Sequence, residues 1–168
     1  TIIDKVGSNM EMPNNVVIEI ANLLNSDLSF LANHHDIDTL IITAGFGRVT
    51  RFENITEVEI NNCFQVNSVA VTKILRHYYP RMQQTENFYC AVMGSIAGLV
   101  SSPLFSLYAA TRAAICRLTE SLNIELEKSG TDNRILNVSP GSIKGTRFNG
   151  GDNDLTQTSL LAKEIIKR

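Results

Sequence analysis

The feature that most constrains this chain is an alternation of short β-branched runs, closed by turn residues, with longer stretches of helical period. Val16–Ile20, Asp38–Thr43, Phe88–Met93 and Arg134–Val138 are the four runs. The last three stop at small or ring-closed residues: Ala44-Gly45-Phe46-Gly47, Gly94-Ser95 and Ser139-Pro140-Gly141. Such glycines let the chain turn sharply and let another group come close to the backbone. Between the runs, Thr56 to about Tyr79 carries Phe64, Val71, Leu75 and Tyr78 on one stripe, with Val66, Val69 and Ile74 off it. That helix is expected to bury two faces. From about Phe105 to Lys128, Ala110, Ala114, Leu118 and Leu122 recur every four residues. Pro80 and Gly130 mark the expected helix ends, and Thr56 with Glu59 has capping-box spacing. Nearly continuous apolar strands alternating with long helices predict a three-layer α/β domain, a doubly wound parallel sheet covered on both faces, over residues 1–168.

Composition narrows the function classes. Fifteen Lys and Arg against 17 Asp and Glu leave a formal charge of −2, so no basic excess follows a phosphate backbone and nucleic acid is not expected as a partner. Apolar runs such as Leu40-Ile41-Ile42 are far too short to span a bilayer. Cys63, Cys90 and Cys116 are odd in number and widely spaced, without a metal-ligand pattern, which predicts reduced core thiols, no metal and a cytoplasmic setting. His34, His35 and His77 likewise read as structural or surface residues. The start, Thr1-Ile2-Ile3-Asp4, has neither the basic-then-apolar design of a secretion signal nor an initiator Met.

In an open parallel sheet, ligands sit beyond the carboxyl ends of the strands, so the loops at Gly45, Ser95 and Pro140 are expected to share one crevice. Ser95 directly follows a strand, and Tyr108 opens the next helix with Arg112 four residues on, on the same face. A cation near a phenol favours its ionised form, which makes Tyr108 a candidate acid or base while Ser95 holds a carbonyl oxygen.

In these residues the chain resembles the short-chain dehydrogenases/reductases. Ile42-Thr43-Ala44-Gly45 is similar to their Asn-Asn-Ala-Gly turn, Asn67 stands at their structural and catalytic Asn, and Gly94-Ser95 matches their catalytic Ser strand. Tyr108-Ala109-Ala110-Thr111-Arg112 resembles their Tyr-x-x-x-Lys motif, and Asn137-Val138-Ser139-Pro140-Gly141 their Pro-Gly segment. The order and the gaps of 28, 13 and 4 between residues 67, 95, 108 and 112 match together. The resemblance implies a Rossmann-like fold and hydride transfer between NAD or NADP and a small carbonyl or secondary alcohol. Ser95, Tyr108, Arg112 and Asn67 would be catalytic. Ala44, Gly45, Tyr108, Arg112, Pro140, Gly141 and Ile143 would meet the cofactor. Paired helices of a homodimer or homotetramer are implied as well.

Three departures accompany the resemblance. The GxxxGxG loop that cradles the pyrophosphate is not in this sequence, and by the family's order the chain begins just before the third strand, which leaves Val16–Ile20 without its usual neighbour and the Ile41 strand with an exposed edge. Arg112 replaces Lys, and Thr146 falls one position later than usual. The first two also fit an impaired relative that acts as a binding or assembly partner.

Overall fold

The computed structural model describes residues 1–4, 14–25, 27–84, 87–143 and 156–167. Within these, the strands form two parallel sheets. β1 (Ile2–Asp4) pairs with β2 (Ile18–Ile20), Ile2 opposite Ile18. β3 (Thr39–Ile42), β4 (Tyr89–Met93) and β5 (Ile135–Val138) form the second sheet in that order. The run at Val16–Ile20 is therefore a strand only over its last three residues, and it does have a neighbour: β1, a three-residue strand too short to show a period in the sequence. β3 lies at the edge of its sheet, with Ile41 44 % exposed, as the order of the runs predicts.

β4 is central, and Cys90, Ala91 and Val92 are all buried. Residues inaccessible on both faces of a strand explain why the run reads as continuously apolar rather than alternating. Helices supply the cover. α1 (Glu57–Phe64) begins with the expected box: Thr56 accepts from the Glu59 amide, and the Glu59 carboxylate accepts from the Thr56 amide. It runs into a π-helical segment, Gln65–Ala70, and then α2 (Val71–Gln84). Val71, Leu75, Tyr78 and Met82 of α2 close over β3 and β4 together with Leu31, Ile42 and Phe88. Burying side chains of this size stabilises by roughly 1.5–3 kcal/mol each before entropy is counted.

Two boundaries differ from the sequence reading. The single helix expected from Thr56 is divided by the π turn, and it continues through Pro80 to Gln84. Proline lacks the amide that would bond the carbonyl four residues back. Here Pro80 and Arg76 are both exposed, so water can serve that carbonyl and the helix survives.

α3 (Ser106–Lys128) ends at Ser129, with Gly130 at φ 83, as expected of a C-terminal glycine. Its Asn123 side chain acts as a false strand for β5: Nδ2 donates to the Ile135 carbonyl at 2.9 Å, and Oδ1 accepts the Ile135 amide at 2.7 Å. α4 (Thr156–Ile166) was not foreseen, and it is fastened to β4 by the Tyr89 hydroxyl, which donates to the Ile165 carbonyl. Among the described residues no helix is long and apolar enough to cross a membrane. The three cysteines are buried and form no disulfide. His34 meets Glu19 at 2.6 Å, a structural tie between β2 and the following turn.

Candidate active site

The carboxyl ends of β3, β4 and β5 converge, as the alternating pattern requires. The Gly94 amide donates to the Val138 carbonyl at 2.7 Å, and the Ile96 amide to the Pro140 carbonyl at 3.0 Å, so the turns after β4 and β5 run side by side. A side chain at Gly94 would strike the Asn137 Oδ1 at 2.3 Å, which is why glycine stands there. Ser95 is half-buried, and its Oγ accepts from the Ala97 amide at 3.2 Å. A hydroxyl that accepts in this way keeps its proton free to donate. Pro140, whose carbonyl meets the Ile96 amide, and Ile143 are half-buried, and Gly141 is exposed with open space where a side chain would be. Thr146 lies outside the described residues.

Asn67, in the π segment, is fully buried and fully used. Its Oδ1 accepts from the Phe46 amide at 2.9 Å, and its Nδ2 faces the Phe46 carbonyl at 2.8 Å, Thr111 Oγ1 at 3.0 Å and Cys63 Sγ at 3.3 Å. One amide thus fixes the turn after β3 to two helices. Thr111 passes the link on, donating to the Tyr108 carbonyl at 2.8 Å. Burial pushes the Cys63 thiol up, so it stays a neutral member of this knot. The Asn67 side chain is thus committed to Phe46, Thr111 and Cys63, and the π turn that carries it is of a kind that recurs at functional sites.

Arg112 is also buried, at 4 % exposure. Its guanidinium carbon lies 5.1 Å from the centre of the Tyr108 ring, and its Nη1 donates to the Met93 carbonyl at 2.9 Å. Gly45, at φ 154, is the third contact: a Cβ there would lie 1.8 Å from Arg112 Nη2. The group that the Gly45 turn admits is therefore Arg112 itself. The structure brings Tyr108, Arg112, Gly45 and the end of β4 together, with Asn67 two hydrogen bonds away through Thr111 to the Tyr108 carbonyl.

Beside Tyr108 opens a pocket of about 210 Å³ between the turn at 46–50, Ile55 and Cys63 at α1, and Leu104 and Leu107 before and within α3. Leu104 has φ 67, a left-handed conformation that costs a non-glycine residue roughly 1–2 kcal/mol. It is held there by the Thr50 amide, which donates to its carbonyl at 3.0 Å. At the rim Arg48 grips Glu59, Nε to Oε1 at 2.5 Å and Nη2 to Oε2 at 3.1 Å. Those bonds, with the Thr56 amide, hold the Glu59 carboxyl at about 2, far below its usual range.

The sequence profile of the short chain dehydrogenase family matches residues 28–156, most of the chain and every residue of this site. The chain belongs to that family. It is 28 % identical over 134 residues to the uncharacterized oxidoreductase TDA5 of Saccharomyces cerevisiae, spanning 79 % of this chain and 40 % of that relative. Among solved structures, a short-chain dehydrogenase from Sphingobium yanoikuyae in complex with NADPH superposes with TM-score 0.71 at 25 % identity, over 90 % of this chain and 64 % of the other. A 4-hydroxyisoleucine dehydrogenase complexed with NADH and succinate shares the fold at TM-score 0.74 and 22 % identity, over 99 % and 78 % of the two chains. This member of the family is thus a Rossmann-like α/β protein that spans less than half the length of the curated relative.

Whether the family's nicotinamide cofactor suits these residues can be judged on Arg112. Its Nε is buried without an acceptor. Arg81 Nε is orphaned in the same way, so the fit rests on where Arg112 stands, at the end of β4 beside Tyr108, with a multiple-donor guanidinium of the kind that a polyhydroxylated ribose would engage. The nicotinamide end of the cofactor is compatible with Tyr108, Arg112 and the turns at Ser95 and Pro140. From the sequence Cys63 reads only as a core thiol, Thr111 only as part of the Tyr108 to Arg112 motif, and Leu104 only as one of the mixed residues between Ser95 and Tyr108 where the family chooses its substrate. Cys63 and Asn67 are four residues apart, as are Thr111 and Tyr108 less one, so helical spacing held a signal for two of them. Nothing in the sequence marks a leucine for positive φ.

Proposed function

We propose that this member of the short-chain dehydrogenase family is an NAD- or NADP-dependent oxidoreductase that interconverts a carbonyl compound and a secondary alcohol. The observation that carries the reading is the joint placement of Tyr108, Arg112 and the Ser95 turn at the carboxyl end of one parallel sheet. The complexes of related enzymes with NADPH and NADH support the cofactor class. When bound, the cofactor supplies or accepts the hydride. Ser95, whose Oγ already accepts from Ala97, donates its hydroxyl proton to the substrate oxygen and orients it. Tyr108 gives that oxygen its proton in reduction and takes it back in oxidation. Arg112 stacks on the Tyr108 ring and keeps the phenol in line, while Asn67 holds the turn after β3 against α3. Ala44, Gly45, Pro140, Gly141 and Ile143 form the walls on the cofactor side.

Residues 1–168 act as one domain in this reading, and the protein is a cytoplasmic homodimer or homotetramer. The exposed Val58 and Val69, on the helical stretch that includes α1, and Ile124 on α3 support pairing through these helices, and the three buried thiols suit a reducing compartment. Tyr108→Phe tests the chemistry. Loss of proton transfer is expected to lower kcat by about 10²–10⁴ while NADH or NADPH binding, followed by fluorescence, is kept. A Tyr108→Phe protein that turns over ketones at the parent rate overturns the assignment.

A further inference from the structure

The pocket beside Tyr108 carries a statement about the substrate, and it rests on the oxidoreductase reading above. Its walls are apolar: Phe46, Ile55, Leu104 and Leu107 face it, with the neutral Cys63 thiol behind. The charged residues of its lining are Arg48 and Glu59, and they satisfy each other through two hydrogen bonds. Glu59 is further occupied by the Thr56 amide and hydroxyl, and Arg48 by the Asn54 carbonyl at 2.9 Å. Arg48 already carries its counter-ion, so a carboxylate or phosphate entering here would meet a neutralised pair rather than an unpaired cation. An apolar cavity of about 150 Å³ holds benzene, so about 210 Å³ has room for one ring with a substituent. The wall is also built rather than incidental, because Leu104 is kept at φ 67 by the bond from Thr50.

We propose that this pocket receives the uncharged apolar limb of the substrate, a single aromatic ring or an alkyl group of similar volume, and that Ile55, Leu104 and Leu107 set its size. The substrate class is therefore an aryl or branched-alkyl ketone and the matching secondary alcohol. Keto acids and phosphorylated carbonyls are disfavoured.

The test is kcat/KM of the protein with NADH or NADPH against 2-butanone, acetophenone, 2-acetonaphthone and pyruvate. Acetophenone is expected to exceed 2-butanone and pyruvate by roughly tenfold or more. Leu104→Gly suits the left-handed backbone, so the fold persists while the wall recedes, and the ratio of 2-acetonaphthone to acetophenone rises by about tenfold. Ile55→Trp fills the pocket and lowers acetophenone relative to 2-butanone by a similar factor. Both ratios unchanged in proteins that turn over, or pyruvate preferred, overturn the proposal. Turnover of no ketone at all counts against the oxidoreductase reading, and the pocket is then judged by saturation-transfer NMR with acetophenone. Binding that is present in the parent and lost in Ile55→Trp upholds the pocket; binding absent from the parent, or equal in both proteins, overturns it.

Discussion

Asn67 and Arg112 are both polar, both buried, and both fixed to the backbone of the turns where the strands end, yet they are satisfied to different degrees. Asn67 uses its oxygen and its nitrogen, the latter toward three acceptors. Arg112 places one nitrogen on the Met93 carbonyl, stacks on Tyr108, and leaves Nε without an acceptor. A completed buried network rigidifies, whereas a half-completed one costs stability and is retained for another reason. In the proposed reading Asn67 holds the mouth in shape, and Arg112 serves what happens in it.

Substitutions can break that division. Asn67→Ala removes the partner of the Phe46 amide and carbonyl and empties a fully buried site, and is expected to cost about 3 kcal/mol of unfolding free energy, read by urea titration. Gly45→Ala places a methyl group against the fork and onto a backbone at φ 154; about 2 kcal/mol is expected, and combining it with Arg112→Met should recover part of the loss in a double-mutant cycle. Arg112→Met keeps the apolar stem and removes the under-satisfied charge. Its stability should shift by less than about 1 kcal/mol while kcat falls roughly tenfold, and Arg112→Lys should fall between. Equal destabilisation by Asn67→Ala and Arg112→Met would erase the distinction.

The smallest effect lies at the rim. Glu59 titrates at about 2, held down first by Arg48 and then by Thr56, below its ordinary 4.5. A carboxyl depressed in the folded state stabilises fully above its unfolded value and loses that contribution as pH falls through the folded one. Glu59→Gln should therefore lower the unfolding midpoint slightly at pH 7, and the gap should close as pH drops from about 4.5 to about 2. Urea midpoints across that range give the answer. A gap that stays constant with pH excludes the ion pair as its source.

Much of this site could be read from residue order. Short runs rich in β-branched and apolar residues make β3, β4 and β5 legible, β4 most plainly because it is buried on both faces, and so are the turns that close them and the helix carrying Tyr108 and Arg112 four residues apart. The capping box at Thr56 is a local pattern with a local cause, and it stands as expected. What was hidden depends on tertiary contact. The π turn forms where Asn67 reaches across to the Phe46 backbone, and Ser68 to the Thr111 carbonyl, interactions that no helical window contains. Continuation of α2 through Pro80 depends on which side of the helix faces water, and β1 exists only because β2 is its neighbour. Leu104 takes positive φ because Thr50, 54 positions earlier, fixes its carbonyl.

The buried thiols also give the molecule a gauge of its own opening. Burial pushes Cys90, at the centre of β4, up to about 12, so in the closed form almost none of it is thiolate at neutral pH and the sulfur is out of reach. Alkylation of that residue by iodoacetamide then proceeds only through molecules whose central strand has come apart, and its rate counts them. Cys63 sits instead in the knot around Asn67, so its labelling registers loosening of the mouth. Comparing the two rates in one sample tells whether the mouth breathes on its own or only when the whole sheet yields.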